Sequence, residues 1–313
     1  MLARTADNLY WLSRYVERAE YLARILEVTQ RMTALPIAYV GATNEWESAL
    51  ATAGCSRAFY AHYQEANEES VIDFLAFSTA NPSSIRSCLD TARHNARAVR
   101  TALTVEMWDA INGTWLELRR FANGPTSRDA VTAFLRWVQT ASLRYDGSAY
   151  RTMLRNDAYW FSRLGVYIER ADNTARILDV KYHLLLPARE QVGGPLDYYQ
   201  WSAILRTVSA NTAYHWVYRD SVKPWLIADL LILKDAMPRS LASCYGELVR
   251  YLDLIGQTYG RPGPSQRLAR SMRTRLQSSD MKRIFQTGLH EFIGDFIVEN
   301  NRLGTAISQQ YLC

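Results

Sequence analysis

Two stretches of this sequence carry residues that could do chemistry together. The first reads Tyr10-Trp11-Leu12-Ser13-Arg14, then Glu17-Arg18-Ala19 and Ala23-Arg24-Ile25-Leu26-Glu27-Val28. The second reads Tyr159-Trp160-Phe161-Ser162-Arg163, then Glu169-Arg170-Ala171 and Ala175-Arg176-Ile177-Leu178-Asp179-Val180. In each, a Glu precedes an Arg by two helical turns, Glu17 with Arg24 and Glu169 with Arg176, so the two charges fall along one line of a helix. Guanidinium forks suit carboxylates and phosphates, and a carboxylate among them could act as general base while they stabilise an anion. Glu17 and Glu169 are therefore the catalytic candidates. Candidates for holding an anionic ligand or a partner are Arg14, Glu17, Arg24, Arg97, Arg100, Arg163, Glu169, Arg176, Arg219 and Arg239. The same charges are equally consistent with a structural network, since buried ions have to be paired and exposed helix pairs contribute little.

Other chemistries lack their residues. Neither G-x-G-x-x-G nor G-x-x-x-x-G-K-S/T occurs, so a phosphate-cradling loop is absent and the chain is not itself an ATP-dependent ligase. No His stands three residues after a Glu and H-E-x-x-H is missing, which disfavours a ferritin-like or zincin-like metal site. Cys55, Cys88, Cys244 and Cys313 are far apart with no C-x-x-C pair and read as thiols of a reducing compartment. Ser240 follows Pro238-Arg239, a pattern best explained as a helix start. No cofactor is expected in this chain.

The elements that must position these groups are helices throughout. Apolar residues recur at three- and four-residue spacing, and hairpin signals are sparse. The spacing predicts a helix from Thr5 or Asp7 to about Thr33, then short ones at 45–53, 56–65 and 70–77. Longer ones are expected at 83–103 with Asn81 as cap, 105–121, 128–142 and 157–186. Residues 187–197, with Gly193-Gly194-Pro195, read as a lid or linker, and Tyr198, Tyr199 and Trp201 beside it as a possible partner surface. Helices resume at 198–209, 212–218, 223–234, 238–257 and 265–277, with a long final one from Ser279.

The two charged stretches form an internal repeat. Tyr159 stands 149 positions after Tyr10, whereas Glu169 stands 152 after Glu17, so three residues are inserted around Gly165. Leu9, Leu12, Val16, Ala19, Ala23 and Leu26 fall on one arc of the first helix, and Tyr10, Glu17, Tyr21, Arg24 and Val28 on roughly the opposite one. Such a helix is buried on two sides. Repeated helices commonly bury each other's apolar faces, so the two are expected side by side, their Glu and Arg residues meeting in a polar layer. Between the retained charges other positions drift, as in Glu20/Asp172, Tyr21/Asn173 and Leu22/Thr174.

The expected fold is all-α, a multi-helix bundle of one domain over residues 1–313 with repeat-related halves at about 1–124 and 125–313. With 48% apolar residues the chain can bury a substantial core. A formal charge of +5, spread over helices, is not the concentrated patch of a nucleic-acid binder. The longest apolar stretch, 224–237, is interrupted by Asp229, Lys234 and Asp235 and is too short for a bilayer. No signal peptide is expected, and a cytoplasmic location is the default.

The repeat, together with Met1-Leu2-Ala3-Arg4-Thr5-Ala6-Asp7-Asn8-Leu9-Tyr10-Trp11, resembles the alpha-E family of bacterial helical proteins, which carry a Glu-x-x-Arg-type signature. Asn81-Pro82-Ser83-Ser84-Ile85, Ala92 to Arg100, Glu106-Met107-Trp108, Tyr218-Arg219-Asp220 and Met237-Pro238-Arg239-Ser240-Leu241 resemble further blocks. His94 departs from the acidic residue expected in its block. The resemblance implies a circularly permuted ATP-grasp ligase-like partner, which would hold any ATP and Mg, and a pathway shared with a transglutaminase-like peptidase. It thus implies a part in making or modifying a peptide or amide-linked product, with a peptide or acidic small molecule as substrate. An acyl or aminoacyl transfer enzyme and a structural scaffold are the alternatives.

Overall fold

A computed structural model describes residues 1–33, 44–121, 124, 127–183, 194–260 and 262–312. Among them there is no strand; the chain is a succession of helices. In order these are α1 (Ala3–Thr33), α2 (Glu45–Thr52), α3 (Ser56–Tyr60), α4 (Glu68–Ile72), α5 (Ile85–Ala98), α6 (Val105–Leu118), α7 (Arg128–Thr152) and α8 (Asp157–His183). After them come α9 (Pro195–Thr207), α10 (Asn211–Tyr218), α11 (Pro224–Ile232), α12 (Leu241–Tyr259), α13 (Pro264–Ser278), α14 (Met281–Thr287) and α15 (Leu289–Ile307).

Local chemistry sets many of the boundaries. Side chains of Asn44, Ser84, Thr104, Ser127 and Ser240 each accept a backbone N–H of the helix they open, filling donors that a helix start leaves unpaired. At α5 the cap is Ser84 rather than Asn81, which instead accepts from the Ser83 amide and donates to the Phe74 carbonyl. The expected helix 83–103 ends at Ala98 and tightens into a 3-10 turn at Arg100–Ala102. The expected final helix is broken at Gly288, whose φ of 106° is closed to side-chain-bearing residues. In the other direction α7 continues ten residues beyond Ser142, to Thr152. Of the expected lid at 187–197, residues 187–193 lie outside the described residues, and α9 already begins at Pro195.

The centre of the molecule is the pair α1 and α8, packed side by side. They run in the same direction. Tyr10 meets Gly165, the Ser13 and Ser162 hydroxyls lie 2.8 Å apart, and farther on Ile25 and Val28 share a small cavity with Val180. At Gly165 an added Cβ would stand 2.2 Å from the Tyr10 carbonyl oxygen, so the close approach needs the missing side chain. Parallel neighbours cannot be joined by a short turn, and α2 to α7 fill the connection. Within it α7 runs antiparallel to α1, with Tyr145 at Ser13, Ser142 at Glu20 and Gln139 at Glu27.

Further helices enclose the pair: α5, α7, α9 and α2 lie against α1, and α12, α15 and α2 against α8. Both arcs of α1 are buried, Leu9, Leu12 and Ala23 on one side and Tyr10, Glu17 and Arg24 on the other. A helix enclosed in this way buries charges along its middle, Glu17, Glu20 and Arg24 among them. Among the described residues, no helix is long and apolar enough to cross a membrane.

Candidate functional site: a crossed Glu/Arg layer

The charges of α1 and α8 meet across the seam between the helices. Arg18 grips Glu169 with both sides of its fork, Nε donating to Oε1 at 2.7 Å and Nη2 to Oε2 at 3.1 Å. Arg170 grips Glu17 in the same manner, Nη2 donating to Oε1 and Nε to Oε2 at 3.3 Å. The arrangement is reciprocal: each helix supplies the acid of one pair and the base of the other. Parallel direction makes this possible, because it brings Glu17-Arg18 level with Glu169-Arg170. Forked pairs of this kind are strong and directional.

A second tier lies one turn on. Arg24 donates to Glu20 Oε1 through Nε at 2.9 Å and Nη2 at 2.7 Å, and Arg176 Nε donates to Asp172 Oδ2 at 2.6 Å. Arg239, in the segment before α12, adds a 2.6 Å bond to Glu20 Oε1 and stands 4.0 Å from Glu17. Ser142 of α7 donates to the other Glu20 oxygen at 2.7 Å. Arg14 Nε completes Glu169 at 2.8 Å. Arg24 also donates to the Thr207 carbonyl, tying the end of α9 to the layer.

Burial and charge act in opposite directions on these carboxyls. Glu17, Glu20 and Glu169 expose 3% or less of their surface. Burial alone would raise Glu169, yet the charges and hydrogen bonds of Arg18 and Arg14 override it and hold the carboxyl at about 2. For Glu20, burial is likewise overridden, by Arg239 and Arg24 with help from Ser142, again to about 2. Asp172 goes the other way: burial outweighs its single guanidinium partner, Glu169 lies nearby, and its Oδ1 atom is buried with no hydrogen-bond partner. Arg239 is lowered, by burial and by the crowding of Arg170 and Arg24 against the attraction of Glu20 and Glu17.

Of the residues singled out from the sequence, Arg14, Glu17, Arg24, Glu169, Arg176 and Arg239 do come together. The pairing differs from the expected Glu17 with Arg24 and Glu169 with Arg176, because a carboxylate buried at a seam meets the neighbouring helix before it meets its own next turns. Four others are elsewhere. Arg163 is buried but pairs with Asp146. Arg97 and Arg100 are exposed on the α5 side, and Arg219 is exposed at the left-handed C-cap of α10, φ 51°.

Sequence reasoning passed over Arg18, Arg170, Glu20 and Asp172. Arg18 and Arg170 were visible as identical Glu-Arg-Ala triplets in the two copies. Lines drawn along one helix favour i to i+7 and hide neighbours that straddle a seam. Glu20 and Asp172, read as drift, both remain carboxylates and both pair four residues on.

The other residues singled out from the sequence are placed as follows. Ser240 is a buried N-cap accepting from the Ser243 amide. Burial pushes the Cys55, Cys88 and Cys244 thiols up to about 12, away from thiolate reactivity. Against the expectation of a shared exposed surface, Trp201 is buried, whereas Tyr198 is exposed. Among the described residues, no group of three His, Cys, Asp or Glu side chains is placed to hold a metal ion.

No curated protein and no solved structure matches this chain. A family model, Alpha-E, described as a predicted alpha-helical domain with a conserved ER motif, matches residues 1–312. The chain contains two Glu-Arg dipeptides and no more, Glu17-Arg18 and Glu169-Arg170, the four residues joined by the crossed pairs. With that match over essentially its whole length, the chain belongs to the Alpha-E family.

Proposed function

We propose that the chain is a non-catalytic helical component of a bacterial peptide- or amide-forming system. It works beside an ATP-grasp ligase-like partner, and its Glu/Arg layer is the internal clamp that holds the working shape. The observation carrying this reading is the saturation of Glu17 and Glu169. Each is enclosed, gripped by a bidentate guanidinium from the opposite helix, and Glu169 is held at about 2. A general base has to have an oxygen free for the proton it takes and an affinity near working pH; Glu169 meets neither condition. The pathway is what the family resemblance implies, and the cytoplasm is the compartment that suits three unpaired thiols.

The test compares Glu17→Gln and Glu169→Gln with wild type in melting temperature and in turnover of the reconstituted ligase system per folded molecule. The clamp reading expects lowered melting temperatures with turnover retained. Variants that melt as wild type but abolish turnover would establish the transfer-enzyme reading instead.

One observation favours a second reading, an anion bound at the layer: six arginines, residues 14, 18, 24, 170, 176 and 239, face four carboxylates there. Pyrophosphate or an acidic peptide would then raise the melting temperature of wild type and not of Arg239→Ala.

A further inference from the structure

Five arginines lie along α5 and the turn after α6 on a different face, with Asp90 as the acidic side chain among them. Arg86, Arg93 and Arg97 fall within an arc of about 40° on α5, and Arg100 continues their line in the turn that follows. Arg119 stands in the turn after α6. Among the described residues, no acidic side chain comes within ion-pair distance of any of the five, although most arginines of the two central helices are paired. Asp90, in the same row, is engaged otherwise, accepting the Trp115 indole N–H at 2.5 Å.

Aromatic rings of α6 hold these arginines in place. Arg93 lies 3.9 Å and Arg119 4.2 Å from the centre of the Trp115 ring, and Arg100 lies 5.1 Å from that of Trp108. Arg93 also donates to Asn112 at 3.0 Å. The order of these steps, Arg100 with Trp108 and Arg93 with Trp115, sets α5 and α6 antiparallel and repeats the same contact along their length. At the far end Arg86 and Arg119 line a cavity of about 120 Å³ together with Asp90, Trp115, Phe77 and Phe121. A guanidinium stacked on an indole keeps its in-plane N–H donors, and less freedom is lost when a ligand arrives.

We propose that this face docks an acidic segment of a partner protein, Asp and Glu side chains meeting successive guanidinium groups along a ladder about 21 Å long. Carboxylates match the forks, and five guanidinium groups that form no ion pair among the described residues, against the single Asp90, leave a partner to supply the counter-charge. Nucleic acid fits less well, because a base-stacking platform needs bare aromatic faces and the Trp115 ring already carries two guanidinium groups. The surface stands on its own geometry and does not depend on the pathway proposed above.

The probe is a fluorescently labelled oligo-glutamate peptide long enough to span the ladder, followed by anisotropy with the full chain. Binding that weakens with added salt is expected. Arg97→Glu with Arg100→Glu should weaken it at least about tenfold, and Arg86→Ala with Arg97→Ala should weaken it less, each with a wild-type melting temperature. The control reversal, Arg267→Glu with Arg273→Glu on α13, should bind as wild type. No binding by wild type, an equal loss in the α13 control, or displacement of the peptide by a single-stranded oligonucleotide at lower concentration would each overturn the proposal.

Discussion

Neutralising Glu169 leaves Arg14 and Arg18 without their counter-charge inside the protein, and the cost follows from that isolation rather than from one lost bond. Glu169→Gln is expected to lower stability by about 3–5 kcal/mol, measured by urea unfolding. Asp172→Asn should cost clearly less, since Asp172 has one guanidinium partner, an orphaned oxygen and a raised proton affinity. A loss equal to that of Glu169→Gln would show that its pair with Arg176 is as tightly held.

Acid sensitivity belongs to the same residues. Glu169 and Glu20 lie below their ordinary value of 4.5 in the folded protein. Their stabilisation is therefore fully present above that pH and is lost as the pH falls from 4.5 toward 2. Asp172, raised above its ordinary 3.8, contributes with the opposite sign and offsets a part of this. The urea midpoint of wild type should fall steeply over that window, and Glu169→Gln should show a shallower fall. An unchanged slope would mean that Glu169 is not held as described.

Between elements, the closeness of α1 and α8 depends on Gly165. Alanine usually strengthens a helix interior relative to glycine by up to about 1 kcal/mol. At Gly147 and Gly246, where a Cβ would meet nothing within 4 Å, that gain is expected. At Gly165 the Cβ would strike the Tyr10 carbonyl, so Gly165→Ala should instead destabilise by about 1–3 kcal/mol, seen as a lower melting temperature. The extra three residues of the second copy fall at this point, visible in the sequence as an offset. Why a glycine stands there is a property of the other helix, and spacing within α8 carries no trace of it.

Across the whole molecule, α1 is enclosed by helices from both halves of the chain, α5 and α7 to α9. Residues 1–124 and 125–313, expressed apart, should each lack a cooperative melt, because each leaves one of the two central helices uncovered. Co-expressed, they should associate and melt as one. Independent cooperative melting of either piece would show that the halves are separate folding units.

How much of this was legible in the residues follows the range of the forces involved. Helical class, the two-sided burial of α1 and the membership of Glu17 and Glu169 in one polar layer are determined by the sequence alone, through periodicity and repetition within single helices. The helix ends were less legible where a cap three residues on, Ser84 rather than Asn81, decides the start, or a left-handed glycine, as at Gly288, decides the stop. Which arginine meets which glutamate was decided only by the tertiary structure. Two parallel helices bring Glu17-Arg18 level with Glu169-Arg170, and a buried carboxylate, cut off from water, takes the guanidinium facing it across the seam. The same holds for Arg97 and Arg100, alike in sequence to the arginines of the layer. The packing of α5 leaves them in solvent, where no carboxylate of the described residues pairs with them.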